Sequence, residues 1–344
     1  MASMEILETE LTKMLGIKFP IIMAPMFLVS NTEMVIEATR AGITGAIPSL
    51  NYRTDEEFRQ ALKEMKSKVA GPIGINLIVN KSNFRLKEQL AICVEEKIDF
   101  IITSLGNPKL VIEKCKKHGI KVFCDVTEEV YAKKVEQLGA DALIAVNSSA
   151  GGHAGNMEAK DLIPLLKSVC NIPVISAGGV GKGEQLQEML DLGACGISMG
   201  SIFIASEEAG VSDAYKEAIV KYGKDDIVMT DKLSGTPCTV INTPYVQEIG
   251  TQQNWLERLL NKHKKLKKYM KMLTFYKGMK SLQKAAFGAT YKTLWCAGPS
   301  IEHVTQVQPV SEIVANFIKN YWDKKKGSQL TSFFLVYRHF RSAI

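Results

Sequence analysis

His153 is the residue of this sequence best suited to acid–base chemistry. The chain has five histidines among its 344 residues, and this one lies in the segment GGHAG, residues 151–155. An imidazole titrates near neutral pH, so it can take up or release a proton under physiological conditions. The flanking glycines leave the ring accessible, directly after an apolar run at 142–148. The pattern predicts a catalytic histidine, with an exposed or helix-capping loop histidine as the alternative.

Two glycine-rich segments predict an anion site, and a phosphate fits them best. The segment SAGGVGKG covers residues 176–183, and a Gly-Ser pair follows at 200–201. Glycine tolerates positive φ angles and lets backbone N–H groups approach an anion closely. Parallel barrels often hold a phosphate between the loops that follow their seventh and eighth strands. The alternative is that these glycines serve only to make tight turns.

No metal centre is expected beside these two sites. The seven cysteines form no CxxC pair, which indicates free thiols in a reducing compartment. The sequence also lacks the GxxxxGK[ST] segment of phosphate-binding loops in nucleotide triphosphatases. The chemistry predicted from the sequence therefore rests on His153 and on the two glycine-rich segments.

The elements that would position these residues recur with a regular spacing. Eight short runs rich in Ile, Val and Ala begin about every 25 residues, the length of a βα unit. Continuous apolar runs of this kind are typical of parallel strands buried on both faces. The pattern predicts an α/β fold, a closed (β/α)8 TIM barrel. A doubly wound open sheet is the alternative, but no GxGxxG follows the first run. The eight runs begin at residues 21, 43, 72, 100, 121, 142, 173 and 196.

Helices are expected between the runs, and four glycines mark the positions where helices end. Gly42, Gly119, Gly139 and Gly193 each follow an amphipathic stretch, where a left-handed residue commonly terminates a helix. Each of these glycines leads directly into the next apolar run. This alternation agrees with the barrel.

After residue 205 the regular spacing stops, which predicts a second unit. We expect a barrel formed by residues 1–205 and 296–324, interrupted by a mainly helical insertion or cap domain at 206–295. Within the insertion, residues 226–230 and 238–242 resemble short strands, and the lysine-rich run 262–271 resembles a solvated helix face. A last helix is expected over 310–322. The tail 325–344 is expected to be disordered or atypical.

Composition and charge bear on partners and location. Hydrophobic residues make up 46% of the chain and the net charge is +7, which excludes disorder as the main state. The positive charge is spread out, so neither nucleic acid nor a membrane is expected as a partner. The N-terminus lacks a secretory signal, and no apolar run reaches the ~18 residues of a spanning helix. We therefore expect a cytoplasmic protein.

Several motifs, taken together, resemble those of the nitronate monooxygenase family, formerly called 2-nitropropane dioxygenases. This family shares a superfamily with the flavin-dependent enoyl-acyl carrier protein reductase of some bacteria. The resemblance covers about residues 12–322 and implies an FMN-bearing (β/α)8 barrel with an inserted helical domain. The motifs are PIIMAPM at 20–26, GINL at 74–77, AGGHAG at 150–155, AGGV at 177–180, MGSIF at 199–203 and SGTPCTVIN at 234–242.

The resemblance also implies roles for individual residues. His153 matches the family's catalytic histidine, and Asn76 would hydrogen-bond the flavin ring. Two departures bear on the substrate: Thr236 stands where many relatives carry arginine, and residues 147–150 lack a glutamate that some reductases have. The implied cofactor contacts are Ala24, Pro25 and Met26 along the ring, Gly151 and Gly152 at its border, and Ala177, Gly178, Gly179, Gly200 and Ser201 around the phosphate.

The activity implied by the resemblance is FMN-dependent oxidation of alkyl nitronates, or of nitroalkanes, with O2 to a carbonyl compound and nitrite. The alternative is an NAD(P)H-dependent FMN enoyl-acyl carrier protein reductase, for which the basic run 262–271 would suit an acidic carrier protein. A non-enzymatic flavin-binding protein is a third reading, because fold does not fix function. A small-molecule substrate and O2 are the expected partners, and a homodimer is a candidate assembly.

Overall fold

Eight parallel strands close into a barrel, which confirms the predicted (β/α)8 fold. The computed structural model describes residues 6–81, 83–232, 237–252 and 294–341, with side chains to residue 326. Each of the eight apolar runs contains one barrel strand. In chain order these are β1 (Ile21–Met23), β2 (Thr44–Pro48), β3 (Gly74–Ile78), β4 (Phe100–Ser104), β5 (Lys121–Val126), β6 (Ala142–Val146), β8 (Val174–Ala177) and β9 (Gly196–Met199).

The barrel interior is packed with apolar side chains and is closed at its lower end. The rings of Phe100 and Phe123 stack inside it, with centroids 5.2 Å apart. A short N-terminal helix, α1 (Glu10–Leu15), places Leu11 across the N-terminal ends of the strands, where that side chain is fully buried. The interior is therefore a core, and space for a ligand remains at the C-terminal ends of the strands.

Helices connect the strands and form the outer layer. Helix α3 shows the local reason for this: the Thr54 and Glu57 side chains each accept a hydrogen bond from the other's backbone N–H. The four glycines expected at helix ends all have positive φ angles, for example +94° at Gly139. The helices are α2 (Thr32–Arg40), α3 (Asp55–Lys68), α4 (Leu86–Glu95), α5 (Lys109–Lys116), α6 (Glu129–Leu138), α7 (Ala159–Val169) and α8 (Gly183–Asp191).

A second, antiparallel sheet joins the loop after β6 to residues 227–241, which lie in the predicted insertion. Its strands are β7 (Gly152–His153), β10 (Ile227–Thr230) and β11 (Cys238–Ile241), in the order β10-β11-β7. The two strand-like runs predicted in the insertion are thus confirmed. Helices α9 (Asp213–Lys221) and α10 (Pro244–Ile249) complete its described part. Helix α9 begins directly after its N-cap residue, Ser212.

Other expectations for the insertion remain predictions. The basic run 262–271 and Thr236 lie outside the described residues. The division into a barrel at 1–205 and 296–324 and a helical cap at 206–295 therefore also stays a prediction. No helix in the described part of the chain combines the length and the apolar content needed to cross a bilayer.

The last helix, α11 (Val310–Arg341), is longer than expected. The prediction that it ends at Trp322 is wrong, because residues 323–326 are Asp, Lys, Lys and Lys, with no proline or glycine to end the helix there. Helix α11 packs against α8 so closely that a side chain at Gly183 would collide with the backbone at Phe317 and Tyr321. The expectation that 325–344 is disordered or atypical stays a prediction.

Candidate functional site

A cavity of about 820 Å³ opens at the C-terminal ends of the barrel strands, where parallel barrels place their active sites. The structure brings eleven of the twelve sequence-predicted residues to its wall. Ser201 does not line it. The eleven are Ala24, Pro25, Met26, Asn76, Gly151, Gly152, His153, Ala177, Gly178, Gly179 and Gly200.

Ser201 instead supports the wall from behind. Its buried Oγ accepts a hydrogen bond from the backbone N–H of Gly298 at 2.8 Å. A Cβ at Gly151 would lie 2.7 Å from that oxygen, so glycine is required where these segments meet. The Ser201 hydroxyl oxygen therefore holds the segment at Gly298 in place behind the cavity wall.

The loops after β6 and β8 touch through two glycine positions. Gly178 and Gly179 have φ angles of +117° and +81°, which L side chains rarely adopt. A Cβ at Gly178 would lie 2.5 Å from both the backbone nitrogen of Ala150 and Oδ1 of Asn147. The Asn147 side chain joins the loops, since its Nδ2 donates to the Gly178 carbonyl at 3.0 Å. Asn147 is a site residue that the sequence alone did not single out.

The same loop presents backbone donors to the cavity. Within the described residues, no hydrogen bond takes up the N–H groups of Gly179 or Val180. The next two N–H groups, of Gly181 and Lys182, donate to Oε1 of Gln185 at 2.8 and 2.9 Å. Successive backbone N–H groups in a glycine turn form an anion-binding concavity. The N–H groups of Gly179 and Val180 are therefore the candidate donors for the anion that the glycine pattern predicts.

Three polar side chains form a hydrogen-bonded line along the ends of β3, β4 and β5. Asn76 Nδ2 donates to the Ile102 carbonyl at 3.1 Å and to Ser104 Oγ at 2.8 Å. Ser104 Oγ donates in turn to Asp125 Oδ2 at 2.5 Å. All three residues line the cavity. The line fixes the orientation of the Asn76 amide at the cavity wall.

Asp125 is the charged residue that the sequence did not assign to the site. Burial raises the pKa of its carboxyl to about 6, and the hydrogen bond from Ser104 opposes that rise. In the sequence, Asp125 is a polar residue near the end of the fifth apolar run, but this position alone does not identify Ser104 as its hydrogen-bond partner. Carboxyl groups with raised pKa values in cavities are candidates for function.

His153 lies in the second sheet, and its ring reaches the cavity wall. Its backbone is in register with Cys238 of β11, so His153 lies in a short strand. The reason is that the flanking glycines let two residues adopt strand geometry beside the insertion. Burial lowers the pKa of the imidazole below its usual 6.5. A neutral ring that can accept a proton is therefore favoured at pH 7.

Two cysteines line the cavity beside His153. The Sγ atoms of Cys238 and Cys296 are 3.7 Å apart, and all seven cysteines are free thiols. The contact with Cys296 and burial both raise the pKa of the Cys238 thiol, so it stays protonated near pH 7. Across the described ranges, no cluster of three or more His, Cys, Asp or Glu side chains could hold a metal ion.

The cavity wall is apolar on the side formed by the loops after β3, β4 and β5. Aliphatic and aromatic side chains predominate there, and Lys134 of α6 adds a positive charge. Pockets of this kind orient a ligand with few polar groups and bind its apolar part by burial. The apolar residues on this side include Ile78, Leu105, Pro108, Val126, Tyr131 and Val135.

Comparisons with known proteins agree with this geometry. A solved structure of FabK from Thermotoga maritima superposes with a TM-score of 0.82 at 28% identity, covering 95% of this chain and 99% of that one. A Staphylococcus saprophyticus protein named a probable nitronate monooxygenase is 28% identical over 289 residues, covering 71% of this chain and 81% of its own.

A third relative is named for a coenzyme A ester. The (3aS,4S,5R,7aS)-5-hydroxy-7a-methyl-1-oxo-octahydro-1H-indene-4-carboxyl-CoA dehydrogenase of Rhodococcus jostii (strain RHA1) is 29% identical over 251 residues, covering 73% of this chain and 70% of its own. The family model described as nitronate monooxygenase matches residues 8–320, nearly the whole barrel and insertion. With its closed barrel, glycine loops and half-buried histidine, the chain belongs to the nitronate monooxygenase family and is a flavin-dependent oxidoreductase.

Proposed function

We propose that the chain binds FMN and oxidises alkyl nitronates, or the parent nitroalkanes, with O2 to a carbonyl compound and nitrite. The observation that carries this proposal is His153, an imidazole in the cavity wall whose pKa is lowered by burial. Abstracting a proton from the carbon next to a nitro group requires a neutral base, and this ring is neutral at pH 7. The residues just before its glycines, 147–150, are Asn, Ser, Ser and Ala and include no carboxylate.

The residues present fit FMN. The N–H groups of Gly179 and Val180 offer donors to one phosphate, and the collision met by a Cβ at Gly178 shows how tightly that loop is closed. The sequence has no dinucleotide-binding fingerprint, which favours FMN over FAD. Ala24, Met26 and Gly200 would lie along the ring. When bound, the flavin takes electrons from the substrate and passes them to O2.

The chain itself supplies placement and proton transfer. His153 Nε2 or Nδ1 would accept the α-proton of a nitroalkane, and the protonated ring would then face the oxygens of the resulting anion. The apolar loops after β3–β5 would bind the alkyl part and exclude water from it. Holding substrate and base together removes much of the entropic cost of their encounter.

The decisive experiment is a comparison of substrates with the flavin-loaded protein. We expect O2 consumption and nitrite release with an alkyl nitronate, without added NADH or NADPH. Flavin bands in the absorbance spectrum establish that the protein is loaded before each assay. A loaded protein that leaves nitronate unchanged would contradict the proposal.

A second candidate, reduction of an enoyl thioester at the expense of NAD(P)H, is favoured by the size of the cavity. Its apolar side extends along three loops, more than a short nitroalkane fills, and the Rhodococcus relative is named for a coenzyme A thioester. This candidate requires a nicotinamide site and an acyl carrier protein or coenzyme A as the carrier. Consumption of NADH on adding an enoyl thioester, with no nitrite from nitronate, would favour it over the first.

A further inference from the structure

We infer that Asp125 is a positioning residue for the flavin, acting through Ser104 to fix the orientation of Asn76 and to set the electron affinity of the ring that Asn76 contacts. This inference rests on the proposed binding of FMN in the cavity. It assigns a role to a carboxyl group that the proposed reaction does not otherwise use.

The direction of every hydrogen bond in the line is determined by its chemistry. The Ile102 carbonyl is an acceptor only, so the amide nitrogen of Asn76 must face it. The second amide hydrogen goes to Ser104 Oγ at 2.8 Å. A serine hydroxyl has a single proton, and that proton goes to Asp125 Oδ2. Donation therefore runs in one direction, from Asn76 through Ser104 to Asp125.

This direction leaves Asn76 with one group to offer a ligand. Both Nδ2 hydrogens are used within the protein, so Oδ1 is what the amide can present, as an acceptor. The oxidised flavin ring carries one N–H group, which is the matching donor. Without Ser104 as a partner, the amide would lose one of the two bonds that fix its orientation. Asp125 thus reaches the flavin through two intervening side chains.

The charge of Asp125 would affect the flavin as well. Among the described residues, no ion pair compensates its carboxylate, and it lies in an enclosed site where charges interact strongly. A carboxylate there disfavours the addition of electrons to a nearby ring, and a neutral carboxyl does not. The other titratable groups that face the cavity are Cys124 of β5, Tyr131 and Lys134 of α6, His153 of β7, Cys238 of β11 and Cys296.

The pH dependence follows from this arrangement. Burial raises the pKa of Asp125 to about 6, so the carboxyl is mostly neutral at pH 5 and mostly charged at pH 8. At pH 8 the Asp125→Asn substitution removes a charge and should therefore change the midpoint potential of the flavin. At pH 5 the carboxyl is already neutral, so the substitution should leave that potential unchanged. The asparagine keeps an Oδ1 acceptor for Ser104, so the hydrogen-bonded line survives in the variant.

The test is a potentiometric titration of the bound flavin in the wild type and in Asp125→Asn, from pH 5 to pH 8. At pH 8 we expect the ratio of reduced to oxidised flavin, at one fixed potential, to be at least tenfold higher in the variant. That ratio corresponds to a midpoint shift of ~30 mV for a two-electron couple. At pH 5 the two proteins should have equal midpoints. The other ionisable groups that face the cavity are the same in both proteins, so the difference isolates Asp125.

Two further variants distinguish an effect on the flavin potential that passes through the Asn76–Ser104–Asp125 hydrogen bonds from an effect that any carboxylate of the protein would have. Glu113→Gln removes an exposed carboxylate from α5 and should leave the potential unchanged at every pH. In a Ser104→Ala background, the effect of Asp125→Asn at pH 8 should fall by at least half, since the connection to Asn76 is gone. Ser104→Ala alone should also weaken FMN binding, measured as recovery of flavin fluorescence on dilution.

Each possible result either supports or overturns the role of Asp125 as a positioning residue. Bound FMN with equal midpoints at pH 8 in wild type and Asp125→Asn overturns the inference, and so does a difference that persists unchanged at pH 5. An undiminished effect in the Ser104→Ala background overturns the role of the line. A wild-type protein that retains no FMN overturns the proposed function and this inference together, and the absorbance spectrum reveals that before any titration.

Discussion

The backbone of His153 pairs with that of Cys238, so the candidate base belongs to a sheet whose other strands come from the insertion. Next to that pair, Thr239 Oγ1 donates to the Ala150 carbonyl at 2.7 Å and ties β11 to the loop ahead of β7. The position of the imidazole is therefore set from two sides of the molecule. Because these bonds involve the main chain at 153, truncating its side chain should leave them intact.

Replacing His153 by alanine should separate its role as a base from its role in binding. We expect turnover of the neutral nitroalkane to fall by about 10²–10⁴-fold, the usual contribution of a general base. Turnover of the preformed nitronate should fall much less, since its proton is already gone. The two rates are measured by nitrite release. His118→Ala, which changes an exposed histidine at the end of α5, is the matched control. Equal losses on both substrates would contradict a role in proton abstraction.

The reaction with nitroalkane should remain fast at mildly acidic pH. Burial lowers the pKa of His153, and the base is active when neutral, so kcat/KM should fall only as the pH drops through a value below 6.5. The profile is measured with nitroalkane and compared with that of preformed nitronate. An inflection above pH 6.5 that His153→Ala removes would mean that the ring is not desolvated in the working enzyme.

An aspartate at position 179 should abolish retention of FMN. Its carboxylate would face the phosphate dianion, and the residue would be strained at a φ angle of +81°. Gly119→Asp is the matched control, because Gly119 has a φ angle of +71° and open space around it, far from the cavity. Flavin content is measured by absorbance after gel filtration. If both folded variants keep their flavin, the phosphate site lies elsewhere.

The flavin released from the protein should be FMN. One pair of backbone donors, at Gly179 and Val180, suits a single terminal phosphate. Heat denaturation followed by mass spectrometry of the supernatant identifies the cofactor. Release of FAD would require a site for an adenosine group that the glycine loops do not account for.

Asp125→Asn should stabilise the protein at pH 8 and leave its stability at pH 4 unchanged. The folded-state pKa is raised from 3.8 to about 6, so the free energy of unfolding decreases as the pH rises through that interval. At 1.36 kcal/mol for each pKa unit, the wild type loses about 2–3 kcal/mol that asparagine does not. Urea denaturation at both pH values measures the difference. A variant less stable than wild type at pH 8 would indicate that the carboxylate is compensated.

The barrel was predictable because its signals are local. Strands buried on both faces must be apolar throughout, and glycines such as Gly42 and Gly139 end helices by adopting positive φ angles. The position of His153 after a strand and the glycine loops likewise indicated the site. Each of these features depends on a few consecutive residues.

Other features of the site depend on residues distant in sequence, and these were missed. The strand pairing of His153 requires Cys238, 85 positions later, and a two-residue strand has no periodicity to recognise. The line from Asn76 to Asp125 becomes visible only when β3, β4 and β5 lie side by side. The hydrogen bond that the Gly298 N–H donates to Ser201 Oγ likewise could not be read from the sequence, because the two residues lie almost a hundred positions apart.

The contact between Gly183 and α11 bears on how the protein acquires its cofactor during synthesis. Gly183 begins α8, directly after the glycine loop that would hold the phosphate, and the backbone at Phe317 and Tyr321 lies against it. Tyr321 also donates its hydroxyl proton to Gln187 of α8 at 3.1 Å. The loop is thus supported by a segment that leaves the ribosome more than a hundred residues after it. Flavin loading should accordingly await release of the nearly complete chain, and a nascent chain stopped before residue 310 should emerge without it.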